Sequence, residues 1–180
     1  MDEEEILICE DSPEGIFTGI YTAYEWKCDP ARTCIQVGEG ENLRLFARYR
    51  EVAADPEKAE KVSRTIRRRF GGECHEKIWY ALSSWEQDRG QAVYQTVAVG
   101  LTGRVKGMLL DHLSNRYVRR TFELWRNVWY ESHHLLGFVR FQETAEGILF
   151  SQIGPKNQVL PLLMPHFADR FPGENFVIYD

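Results

Sequence analysis

The sequence predicts an α+β fold: one mainly antiparallel sheet, built from an N-terminal strand and a C-terminal β-β-α-β segment, packed with a helical middle section at about 55–136. Three observations predict it. A short apolar run at residues 6–9 has the length of a strand. From residue 55 to about residue 136, apolar side chains recur at helical spacing. After residue 137 they come instead in short runs separated by loops, with one helical stretch between them. A chain of 180 residues that is 43% hydrophobic suits one domain, 1–180, able to bury a core without covalent staples.

The first strand is Ile6-Leu7-Ile8-Cys9, ending at Glu10 and Asp11. Ser12 and Pro13 then signal a helix start, a serine N-cap followed by proline at the first helical position. Ile16, Phe17, Ile20, Tyr21 and Tyr24 carry this helix to about Trp26. Residues 28–42 contain Asp29, Pro30, Gly38 and Gly40 and read as mostly loop, with short strands at Ile35–Val37 and Leu43–Phe46. Pro56 opens a second helix with a stripe of Ala59, Val62, Ile66 and Phe70, closed by Gly71 and Gly72. Three helices are expected next. They cover about Glu73–Gln87, Gly90 through Leu109, and Asn115 to Leu135. The last has a wide apolar face that includes Tyr117, Trp125 and Trp129, as a central helix would. Phe138–Phe141 and Ile148–Ser151 read as antiparallel strands. A helix from Val159 to about Phe171 and a closing strand Phe176–Tyr179 complete the chain.

No run approaches the ~20 apolar residues of a membrane span. The acidic start, Met1 to Glu5, is the opposite of a secretory signal, so a cytoplasmic protein is expected. Cys9, Cys28, Cys34 and Cys74 form no Cys-x-x-Cys pair and read as free thiols. A zinc set of Cys28, Cys34, Cys74 and His75 matches no known spacing, and no resident metal or cofactor is expected. Phosphate-binding loops, dinucleotide fingerprints and nucleophile elbows are absent from the sequence. A net charge of −5 argues against indiscriminate coating of nucleic acid but permits a local basic surface.

Two segments are locally basic. Lys58, Lys61, Arg64, Arg67, Arg68 and Arg69 could neutralise phosphates, or form a solvated face paired with Glu57 and Glu60. Arg104, Lys106, Arg116, Arg119, Arg120 and Arg126 form the second. Within it Arg116, Arg119 and Arg120 share a helix face and are candidate phosphate contacts, while Tyr117, Trp125 and Trp129 fall on the apolar side. A third, polar cluster lies late: Glu131, His133, His134, Arg140, His166, Asp169, Arg170 and Asp180. Arg140, inside an aromatic strand, needs a carboxylate, a phosphate or water beside it. His166 and Arg170 are four apart on one helix. The set could bind phosphate or move a proton, with His133, His166, Asp169 and Asp180 as the acid–base candidates. It could equally be an internal ion-pair network.

Several blocks carry a family resemblance: Ile8-Cys9-Glu10-Asp11-Ser12-Pro13-Glu14-Gly15-Ile16, Gly137-Phe138-Val139-Arg140-Phe141 preceded by His133, Leu160-Pro161-Leu162-Leu163 with Pro165 to Phe171, and Val177-Ile178-Tyr179-Asp180. Together they resemble a bacterial family of DNA metabolism or repair proteins that carry a domain of unknown function. His134 stands where that pattern has a basic residue. The resemblance implies pairing with a radical-SAM protein, and related domains occur fused to uracil-DNA glycosylase-like domains. The expected function is an accessory domain of DNA repair or modification. It would bind DNA or a nucleotide through Arg116, Arg119, Arg120, Arg140, His166 and Arg170. The alternatives are an enzyme using His/Asp acid–base chemistry on a nucleotide or base, and a protein–protein adaptor for the radical-SAM partner.

Overall fold

Capping chemistry fixes three of the six helices in the computed structural model, which describes residues 4–38, 44–103, 105 and 107–180. Ser12 accepts from the Gly15 N–H at the start of α1 (Pro13–Glu25). Asp55 accepts from the Glu57 and Lys58 N–H groups at the start of α2 (Pro56–Phe70). Asn115 does the same for Tyr117 and Val118 at the start of α5 (Arg116–Phe138). Between them lie α3 (Gly72–Leu82) and α4 (Arg89–Leu101), and α6 (Leu160–Arg170) follows late in the chain.

The sheet differs from expectation. The fold is α+β, but it has two separate three-stranded sheets, and the first is parallel throughout. In it β1 (Glu4–Cys9) lies between β2 (Thr33–Val37) and β3 (Ala47–Val52), both parallel to it. The second sheet orders β4 (Gln142–Glu143), β5 (Leu149–Gln152) and β6 (Phe176–Tyr179), with β4–β5 antiparallel and β5–β6 parallel. The single mainly antiparallel sheet is therefore incorrect. The physical reason is legible in β1. Ile6 and Leu7 are adjacent yet both fully buried, so the strand is covered on both faces, as parallel strands are. The α1 helix lies close against β1 at Gly19, where a side chain would collide with the Cys9 sulfur. The start of α4 approaches β2 at Gly90. Gln91 of α4 closes the free edge of β2, accepting from the Ile35 N–H at 2.9 Å and donating to the Thr33 carbonyl at 3.3 Å.

Other boundaries also move. No strand covers Arg44–Phe46, and Leu43 lies outside the described residues; the strand is β3, one turn later. The α3 helix stops at Leu82 rather than near Gln87, and α4 stops at Leu101 rather than continuing to Leu109, which sits in a short 3-10 turn. The α5 helix runs on to Phe138, so Phe138–Phe141 is a helix end and exit and not a strand.

Two apolar cores result. The larger gathers Leu7, Ile16, Phe17, Ile35, Ile66, Ile78, Val93 and Tyr94 between the first sheet and α1–α4. The smaller holds Val128, Val159, Leu163 and Phe167. The α5 helix joins them, giving Val118 and Leu124 to the first and Val128 to the second. Among the described residues no helix is long and apolar enough to cross a membrane.

Candidate nucleic-acid interface

The helix overrun at Phe138 decides where Arg140 goes. Arg140 follows α5 on the surface, and its Nη1 donates to the carbonyls of Gly137 at 3.0 Å and Val139 at 3.2 Å. It does not lie inside a strand. It faces instead a hollow of about 460 Å³ bounded by Gly137, Arg140, Phe141, Phe167, Arg170 and Phe171. Arg170 reaches this hollow from the last turn of α6, its guanidinium 5.8 Å from the Phe171 ring centre. Phe141 packs edge-on against Phe167 and Phe171, at 5.3 and 5.1 Å, and these rings form an apolar floor. Neither guanidinium has a carboxylate partner among the described residues. Two planar guanidiniums without carboxylate partners among the described residues, Arg170 beside the Phe171 ring, have the chemistry to engage a phosphate or another oxyanion.

The other late residues do not join it. His166 is exposed, edge-on to Phe167 at 5.1 Å, outside the lining of the hollow. His133 stacks on Trp129. Asp169 and Asp180 are exposed, and among the described residues neither is hydrogen-bonded to His133 or His166. The acid–base arrangement of His133, His166, Asp169 and Asp180 is therefore not assembled. Glu131 has a structural role, accepting from the Lys156 and Asn157 N–H groups at 2.7 and 2.9 Å to fix the entry to α6.

The arginine trio separates. Arg120 is held by Asp88 and Glu86, with Nε to Asp88 at 2.7 Å and Nη2 to Glu86 at 3.0 Å. The Asp88 hydrogen bond raises its pKa further, so its charge is already answered internally and it is not free for phosphate. Arg116 lies over the Tyr117 ring and hydrogen-bonds its hydroxyl. Arg119 is exposed with no carboxylate partner among the described residues. Arg104 and Lys106 lie outside the described residues. In the earlier basic helix, Lys58 pairs with Glu25 at 2.8 Å and Arg64 with Glu60 at 3.6 Å, which answers part of that face.

Trp129 is not a core residue. It is 37% exposed and lies parallel to His133, ring centres 4.9 Å apart at 9°. Tyr130 is 61% and Phe138 64% exposed, and His134 stacks on Phe138 at 4.2 Å and 20°. The sequence places Trp129 on the apolar side of its helix because an aromatic at the edge of a helical wheel reads as core.

A second arrangement lay outside sequence reasoning. The Ser63 hydroxyl and His75 Nε2 lie 2.7 Å apart across the α2–α3 break, beside Arg67 and Trp79. Burial, and then the Arg67 charge, lower the His75 pKa, so the folded state favours the neutral ring. Stability from this group is present above the unfolded-state value near 6.5 and is lost as pH falls through the depressed folded value. Urea midpoints are thus expected to fall on acidification below about pH 6.5, and to fall less for His75→Gln. Equal pH slopes in the two proteins would remove His75 from that role. Burial pushes the Cys74 thiol up to about 11 and Cys9 up to about 12, and among the described residues no cluster of His, Cys, Asp or Glu is placed to share a metal ion.

A family model described as a domain of unknown function, DUF4130, matches residues 87–180. That stretch runs from the start of α4 to the end of the chain and contains Arg140 and Arg170 of the hollow together with Arg116, Arg119, Arg120, His133 and His166. Neither the curated proteins nor the solved structures include a match.

Proposed function

The chain belongs to the DUF4130 family, a domain of unknown function, and we propose that it is a cytoplasmic accessory domain of DNA repair or modification that binds nucleic acid and works with a partner enzyme. The observation that carries this reading is the hollow of Arg140 and Arg170, two cations without carboxylate partners among the described residues above a floor of phenylalanines. The DNA-repair context rests on the sequence resemblance, which also names the partner as a radical-SAM protein. Arg119 and Arg126, exposed on the same helix that leads into the hollow, extend the positive surface.

Binding of fluorescent oligonucleotides across a salt series tests it. The wild-type protein is expected to bind with an affinity that falls steeply with salt, because each neutralised phosphate releases counterions. Replacing Arg140 and Arg170 together by alanine is expected to weaken binding across all sequences and to lower the salt slope by about two. The Arg120→Ala variant is expected to leave the slope unchanged, since that guanidinium is already engaged. An unaltered slope and affinity in the Arg140/Arg170 double variant would remove the hollow from the binding surface.

A further inference from the structure

We infer that the outward face of α5 is a stacking track for a single-stranded polynucleotide, ending in the two-arginine hollow. This deepens the nucleic-acid reading above and rests on it. Arg119, Arg126, Tyr130, His133 and Gly137 follow one another at spacings of seven, four, three and four, so they lie on one line along the helix. All five are exposed. The line is about 27 Å long at 1.5 Å per residue. It is flanked on one side by Trp129, stacked on His133, and on the other by the His134–Phe138 stack. Gly137 at its end is also part of the wall of the hollow, so track and hollow are continuous.

The composition of this face is what separates it from an ordinary solvated helix. A solvated face would carry mixed charges and few rings. This one carries Arg119 and Arg126, which have no carboxylate partner among the described residues, and five adjacent aromatic or imidazole groups, Trp129, Tyr130, His133, His134 and Phe138; Glu123, four residues after Arg119 and three before Arg126, lies on the same line and reaches Arg120 at 3.8 Å. Exposed apolar rings grouped in this way mark a binding surface. Rings alone would suit a protein partner equally. Rings set between guanidiniums, with Arg119 and Arg126 before them and Arg140 and Arg170 beyond, suit a chain that carries both flat apolar bases and phosphates, and bases are free to stack only when the strand is unpaired. A duplex keeps its bases inside and would use the arginines alone.

Three probes of equal length separate these cases: an oligodeoxythymidylate, a duplex, and an abasic strand carrying the same phosphates. The oligodeoxythymidylate is expected to bind most tightly and to quench the fluorescence of Trp129. Trp129→Leu and Phe138→Leu, both at exposed positions, are each expected to weaken that binding about tenfold while leaving the weaker duplex and abasic binding unchanged. Equal affinity for all three probes, or no effect of either substitution, would overturn the stacking track and leave the electrostatic reading standing. Absence of binding to any of the three would overturn both and assign the face to a protein partner.

Discussion

Replacing Phe167 by alanine is expected to destabilise the C-terminal part of the protein by about 4 kcal/mol. Phe167 is 2% exposed and sits with Val128, Val159 and Leu163 in the smaller core, with Phe141 edge-on at 5.3 Å and Phe171 parallel at 6.3 Å. A core with so few fully buried side chains has little to collapse into the space a lost ring leaves, so the cavity term adds to the lost transfer energy. Phe167→Leu, which keeps most of the volume, is expected to cost about 1 kcal/mol. Because the larger core lies elsewhere, the loss should be local. Amide exchange in β5, β6 and α6 should accelerate well before that in β1 and α1. Phe167 also floors the Arg140–Arg170 hollow, so the alanine variant should lose oligonucleotide affinity in step with this local opening. A cost below about 1 kcal/mol for the alanine variant would show that the smaller core is not organised around this ring.

The same region shows what the sequence could and could not convey. The helices were legible because their signals are local: Ser12-Pro13, Asp55-Pro56 and Asn115 are caps that act on the next three residues. The first sheet was not, because pairing is non-local. In β2, Thr33 and Gln36 dilute the apolar pattern, so only Ile35–Val37 reads as strand, and in Ala47–Val52 of β3 three of the six side chains are charged, so the strand is read too early, at Leu43–Phe46. Arg140 and Arg170 are legible as members of one late cluster, but the geometry that joins them is not. Their meeting depends on α5 continuing to Phe138, and Phe138-Val139-Arg140-Phe141 fits a strand as well as a helix end by composition. Arg120 shows the reverse case. Its spacing from Arg116 and Arg119 was correct, and its carboxylate partners came from Glu86 and Asp88, some thirty residues earlier.

Removing the carboxylate of Asp11 is expected to cost about 3 kcal/mol, and removing Arg89 as well is expected to restore most of it. Arg89, at the start of α4, is fully buried. Its Nη2 is paired with Asp11, its Nη1 donates to the Glu86 carbonyl at 2.9 Å and the Trp85 carbonyl at 3.5 Å, and its Nε has no hydrogen-bond partner among the described residues. Burial lowers its pKa, and Asp11 opposes that shift. Asp11→Ala would leave a desolvated cation with carbonyl dipoles alone and would also remove the acceptor of Gln158, now 3.1 Å away. The figure lies at the low end for a broken buried pair because the Asp11 carboxylate is 53% exposed and partly screened by water. Arg89→Met fills the same space without charge, so with Asp11→Ala it should leave an apolar seam rather than an orphaned ion, and the two changes should couple by about 2 kcal/mol. Asp11 follows β1, whereas Arg89 and Gln158 belong to the family-matched stretch, so the pair ties the parallel sheet to the part of the chain that carries the arginine hollow. Urea denaturation of the four proteins of this cycle measures the coupling. A single Asp11→Ala variant within about 1 kcal/mol of wild type would mean that the buried guanidinium is held by its carbonyls alone, and that the two halves are joined by apolar packing through α5 instead.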